Sequence, residues 1–338
     1  MNAARAGDLP GYAQRPMSPR VRVVAVVALV AAVATAAVVG IVARSGGEPS
    51  AATGLAPRSG APPLALDLGI RVDPDAVNLR EALDLYTKGK RTAAATLFAR
   101  SGSLEGKVGL AFARWPKGTI DALTRLAAAD PRSGLVQLNL GIAELWAGKA
   151  GSEDAWRRAA AVQPDSSYAV TAGNLLFPRY NRNLPLFVPA EAAPVELDGK
   201  TPPQQLAILR HDAATGSATA KLLYGVALQR LFRPVSAERE FAAAAKLAPD
   251  DAEAQTAAAV GRFDKANLSA SFSRLGPLTK RFPHAATVRF HLGLLLLWIG
   301  SVKQAETQLR LATTVQPGSP LAREAAQYLT TLRGVHPA

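Results

Sequence analysis

The residues able to do chemistry are few and badly spaced for it. The chain has four histidines and no cysteine, which removes thiol nucleophiles, thiolate metal sites, disulfide frameworks and a lipid-modified N-terminal cysteine. His211 stands beside Asp212, the residue types of an acid–base pair, but no second carboxylate or nucleophile lies at a motif spacing from them. His284 and His291 are seven apart, whereas two zinc ligands on one helical face need a separation of four. No glycine-rich loop could cradle a phosphate, and no nucleophile elbow occurs. The chain is expected to be no enzyme, with no catalytic, cofactor-binding or metal-binding residues and no small-molecule substrate.

What remains to be positioned is therefore surface. Lys plus Arg number 39 against 26 Asp plus Glu, and residues 71–338 keep an excess of ten. Such a surface could meet a polyanion, but the arginines are scattered singly and read as solvated helix faces, so no nucleic-acid partner is expected. Alanine dominates and aromatics make up 6%, a profile that favours helices.

Residues 23–43, VVAVVALVAAVATAAVVGIVA, form 21 positions without a charge between Arg22 and Arg44. A helix of that length covers roughly 31 Å, enough to span a hydrocarbon core of about 30 Å. Arg5, Arg15, Arg20 and Arg22 precede it, which places residues 1–22 as a cytoplasmic basic tail and the bulk of the chain outside. A cleaved signal peptide is the alternative, but the apolar stretch exceeds the roughly 7–15 residues of a signal core and no small-x-small site follows. Residues 44–70, rich in Gly, Pro, Ser and Ala at their start, are expected to form a flexible linker.

The strongest pattern is internal repetition. Pro249, Pro283 and Pro317 are 34 apart, and the same offsets recover Ala244, Leu278 and Ala312; Phe241, Leu275 and Leu309; Ala237, Ser271 and Ala305; Gly225, Ala259 and Gly293. Fainter copies upstream contain Ala82, Gly109 and Gly141 in place of the glycine column. Small residues let two helix backbones approach, larger ones fill the gap, and proline ends the second helix. The pattern resembles the tetratricopeptide repeat (TPR) family over roughly residues 73–333. The fold expected is all-α: a TPR-type helix-turn-helix solenoid of about seven helix pairs over 71–338, with a C-terminal capping helix, preceded by one transmembrane helix. No unit can bury its apolar face alone, so stability comes from stacking.

The spacing between Pro164 and Pro249 leaves 17 positions beyond two repeats, so the fourth unit carries an insertion at about 178–200. Its first helix is expected over 166–177 and its second from Thr201 and Pro202. Within the insertion Arg179, Tyr180, Arg182, Leu186 and Phe187 are candidates for partner contact. The resemblance implies a concave groove lined by the first helix of each unit: Leu79, Leu83 and Tyr86; Leu138, Ile142 and Leu145; Leu222, Val226 and Gln229; Thr256, Val260 and Phe263; Phe290, Leu294 and Leu297. Family members that clamp a peptide carboxylate use Lys, Arg and Asn there, so that clamp is not expected. The apolar lining fits three arrangements: helix packing in a narrow superhelix, a groove for a peptide or protein partner, or occupation by the inserted loop. The function expected is a membrane-anchored scaffold of bacterial type with an extracytoplasmic repeat domain. The alternatives are a regulatory subunit of an envelope polysaccharide or secretion complex, and a salt-sensitive polyanion binder.

Overall fold

A computed structural model describes residues 56–190 and 195–335. The expected membrane span at 23–43 and the basic tail lie outside them. Among the described residues no helix is long and apolar enough to cross a membrane.

Fifteen α-helices are present among the described residues, with no strand. The first half comprises α1 (Pro74–Thr87), α2 (Arg91–Arg100), α3 (Leu104–Ala113), α4 (Thr119–Ala129), α5 (Gly134–Trp146), α6 (Ser152–Val162) and α7 (Ser167–Leu176). After a 3-10 turn at Val195–Leu197 follow α8 (Pro202–Thr215), α9 (Ala218–Arg230), α10 (Pro234–Leu247), α11 (Ala252–Val260), α12 (Ser269–Arg281), α13 (Ala286–Trp298), α14 (Val302–Val315) and α15 (Pro320–Val335). Six antiparallel hairpins result: α1–α2, α3–α4, α5–α6, α9–α10, α11–α12 and α13–α14. The first helix of each pair is called the A helix here, and the second the B helix.

The repeat columns sit where their sizes require. Phe241, Leu275 and Leu309 are fully buried, as are Ala237, Ser271 and Ala305. A Cβ on Gly225 would enter the Phe241 ring, and one on Gly293 would come within 2.8 Å of Leu309 Cγ. Glycine at these two places is what allows the A and B helices to close. Five of the six A helices and the single α7 also begin alike: Asp73, Ser103, Ser133, Ser166, Ser217 and Asp251 each accept a main-chain N–H in the first turn of α1, α3, α5, α7, α9 and α11, satisfying a donor that the helix start leaves open. α15 covers the end of the array, where Leu321, Ala325 and Leu329 close over Phe290, Leu309 and Ala312.

The fourth unit departs from expectation. α8 packs on α9, burying Leu197 and Leu209 against Ala227, and does not complete a hairpin with α7. The array thus has six pairs with α7 and α8 single, rather than about seven pairs. The physical reason is the insertion, which draws the chain away from α7 before α8 begins. Contacts across the break are polar: Asp165 accepts from Ser236 N at 3.0 Å and Ser236 Oγ at 2.6 Å, and Lys265 Nζ donates to Asn174 Oδ1 at 2.6 Å.

Candidate functional site

The A helices turn an apolar face to the inside of each half, and both faces are covered by the chain itself. In the first half the cover is the segment 56–70, the expected linker. Leu64, Ala65, Leu66 and Leu68 are buried and share one core with Leu79, Tyr86, Leu138, Ile142 and Leu145. A flexible linker over 44–70 therefore does not describe its C-terminal part. Three leucines at alternate positions give an extended chain more apolar area than it can leave in water. At roughly 1.5–3 kcal/mol per buried leucine, the three offset part of the entropy lost in ordering the segment, and the hydrogen bonds below add to them.

The main chain of this strap is held by side chains. Asn139, in the middle of α5, accepts Ala65 N at 3.0 Å and donates to Ala65 O at 2.8 Å, the two bonds a neighbouring strand would make. Tyr86 Oη donates to Pro62 O at 2.5 Å, and burial pushes its phenol above its ordinary range. Tyr168 Oη, in the first turn of α7, reaches Asp67 N at 3.3 Å. Arg58 N donates to Trp146 O at the C-terminal end of α5, and the Arg58 guanidinium lies 4.9 Å from the Trp146 ring centre. The strap thus runs from the C-terminal ends of the A helices toward their N-terminal ends.

In the second half the cover is the insertion. Phe187 is fully buried, edge-on to Phe241 with centroids 5.6 Å apart and stacked on His291 at 4.7 Å. Its N–H donates to Gln229 Oε1 at 2.9 Å, Val188 N to His291 Nε2 at 2.9 Å, and Ala190 N to Glu253 Oε1 at 2.6 Å. The partners descend from the last turn of α9, through the middle of α13, to the first turn of α11, so this segment crosses its groove in the same direction as the strap.

The two grooves hold their segments from equivalent places. Asn139 lies two residues before Gly141, and His291 two before Gly293; Leu140, Trp146 and Gly148 of α5 and its turn match Leu292, Trp298 and Gly300 of α13. Tyr86 lies four residues after Ala82, and Gln229 four after Gly225. Each half therefore holds its segment from the late position of its first hairpin and from the middle position of its third.

His291 is neutral in this setting. Its Nδ1 is 2.7 Å from Thr287 O, so Nδ1 carries the proton and Nε2 accepts from Val188. Enclosure by Phe187 and Phe290 holds its pKa down to about 4, desolvation being the cause. Glu144 is shifted up for the same reason.

The residues expected to line an open groove are covered. Leu79, Leu138, Ile142 and Phe290 show no exposure, and Tyr86, Leu145, Leu222, Val226, Phe263 and Leu294 at most 7%. Thr256 and Val260 are buried as well, and Leu83, Gln229 and Leu297 are half-buried. Of the insertion candidates, Phe187 faces inward, Leu186 is 37% exposed, and Arg179 lies over the Tyr180 ring at 4.7 Å; Arg182 is exposed. His284 is exposed before α13 while His291 is buried within it. Asn139 and Glu253 escaped the sequence reading, and His291 was weighed there only as a metal ligand. A signal was available for Asn139 and His291: each is a polar residue flanked on both sides by large apolar ones in an A helix, Leu138 and Leu140 in one case, Phe290 and Leu292 in the other.

An open cavity of about 820 Å³ adjoins the first groove where the strap enters, lined among others by Arg58, Tyr86, Arg91, Trp115, Trp146 and Lys149. Among the described residues no group of three or more His, Asp or Glu is placed to hold a metal ion.

No protein-family model matches the sequence, and no curated protein matches it. Among solved structures it aligns with YrrB, described as a TPR protein with an unusual peptide-binding site, at 17% identity and a TM-score of 0.30 over 62% of this chain and 99% of that one. It also aligns with the APC/C hetero-tetramer Cut9–Hcn1 at 12% identity and a TM-score of 0.26, over 76% of this chain and 56% of that one. At such scores neither likeness carries weight. By its own spacing and packing the chain is, over the described residues, an all-helical repeat protein of stacked helix hairpins.

Proposed function

We propose that this chain is a non-catalytic interaction scaffold that engages a protein or peptide partner through its repeat array. The observation that carries the reading is the pair of grooves in which A-helix side chains bind the main chain of an extended polypeptide: Asn139 and Tyr86 in one half, His291 and Gln229 in the other. Side chains that recognise main-chain groups suit polypeptide ligands, because every such ligand offers those groups. The array is tethered to a membrane by residues 23–43, with its bulk on the extracytoplasmic side; the support for this is the uncharged 21-residue run and the arginines before it.

Two measurements test the reading. Crosslinking in cells followed by purification of the full chain from membranes should return a stoichiometric polypeptide partner; a chain that purifies alone after efficient crosslinking refutes the scaffold. A reporter active only outside the cytoplasm, fused after Ala338, should give signal; signal from a cytoplasm-only reporter refutes the orientation.

A further inference from the structure

The two covered grooves differ in how firmly they are covered. The strap buries Leu64, Leu66 and Leu68 together with Pro62 and Ala65, on both faces of the extended chain. It leads directly into α1 through Arg71 and Asp73, which pair at 2.9 Å. The insertion has one large side chain fully buried, Phe187, and follows an extended chain's alternation: Pro185 in, Leu186 out, Phe187 in. Leu184 and Val188 are only half-buried. Within Leu184–Ala190 the main-chain N–H groups of Phe187, Val188 and Ala190 donate to side chains, those of Gln229, His291 and Glu253.

The residues beneath it are also held by contacts of their own. Leu222, Val226 and Phe241 are placed by α9 and α10, whose closure depends on Gly225, and His291 is fixed by its bond to Thr287 O within α13. A covering segment whose removal leaves the receptor's framework built is one that another segment of the same chemistry can replace.

We infer that the groove between α9 and α13 is a receptor for an extended apolar peptide with one inward aromatic side chain, and that Leu184–Ala190 is its resident, exchangeable occupant. This rests on the scaffold reading and narrows it to one site and one ligand class. The aromatic ring of the incoming peptide enters the space between Phe241, His291 and Val226. Its main-chain N–H groups, two in succession and one two residues further on, take the acceptors of Gln229, His291 and Glu253. The occupant competes from within the same chain at an effective concentration on the order of millimolar. It therefore weakens the apparent affinity for any peptide in solution until it is displaced. The strap in the first half plays no such part, being anchored by three leucines.

The test uses the full chain in detergent and a fluorescent peptide of sequence NLPLFVPA, matching residues 183–190. Anisotropy is followed for the wild type and for Phe187→Ala, with circular dichroism checking that helix content is unchanged. Phe187→Ala is expected to bind the peptide at least tenfold more tightly than the wild type, and adding Gln229→Ala should reverse most of that gain. The same peptide carrying Phe187→Asp should not bind either protein. Equal binding by wild type and Phe187→Ala, or none by both, overturns the inference. If Phe187→Ala loses helix content, Phe187→Leu leaves a smaller void and is judged by the same tenfold criterion. Should the peptide fail while the chain still captures a partner in cells, the scaffold reading stands and only the exchangeable groove falls.

Discussion

Replacing His291 by Asn should flatten the acid limb of the stability curve. His291 is buried, neutral and held near a pKa of about 4, against 6.5 when free. The unfolded chain therefore binds a proton between these values that the folded chain refuses, so stability falls as pH drops through 6.5 and levels off below 4. Linkage gives a loss of about 2 kcal/mol between pH 7.5 and pH 5, approaching about 3 kcal/mol at the lower limit. Asn is the apt replacement because it stands at the equivalent position of the first half, where Asn139 bonds the strap. It does not titrate and retains an acceptor for Val188 N–H. Glu144, whose pKa is raised by desolvation, works in the opposite sense, but it is common to both proteins and cancels. Lys265, brought down to about 8 by desolvation, is likewise common to both proteins and cancels. Urea denaturation followed at 222 nm at pH 7.5 and pH 5 should show a gap about 2 kcal/mol larger in the wild type than in His291→Asn. An identical gap in the two proteins would refute the placement of a neutral imidazole against Val188.

Three further outcomes follow from the packing. Asn139→Ala leaves the N–H and C=O of Ala65 buried without partners and should lower stability by about 2–4 kcal/mol; protease cleavage at the exposed Ser59–Gly60 bond should quicken in parallel. Gly225→Ala drives a methyl into the Phe241 ring and should cost about 1–3 kcal/mol, with Phe241→Leu in the same chain restoring part of it in a double-mutant cycle. Gly148 turns from α5 to α6 at φ +68°, so Gly148→Ala should lower the melting temperature by an amount equivalent to about 1 kcal/mol, while Phe232→Gly, at φ +55° in the matching turn, should raise it slightly.

The hairpins were legible in the sequence because their packing is local and periodic. Gly225 must meet Phe241, and Gly293 must meet Leu309, each sixteen residues on, so size alone writes the repeat into the chain. The covers were not legible because their burial is set by distant partners: Ala65 bonds a residue 74 positions away and Val188 one 103 positions away. Composition around 45–63 reads as linker, and only the alternation of Leu64, Leu66 and Leu68 hinted that its end is buried. The fourth unit misled for a related reason. Thr201 and Pro202 do start a helix, but where that helix packs is decided by the path of the preceding loop.

A repeat array with apolar A helices faces the same problem along its length as at its ends: the inner faces must be covered or the protein aggregates. α15 solves it at the C-terminal end, and two extended segments solve it inside. The solutions are unequal in strength because the segments have different tasks. The strap joins the array to whatever precedes it, and a force on that connection acts directly on Leu64, Leu66 and Leu68, so weak seating there would unzip the first half. The insertion is fixed at both ends by the array itself and carries no such load. It is seated chiefly by Phe187, with Pro185 buried and Leu184 and Val188 half-buried beside it, and by main-chain bonds to side chains, which a competitor supplying the same groups can replace.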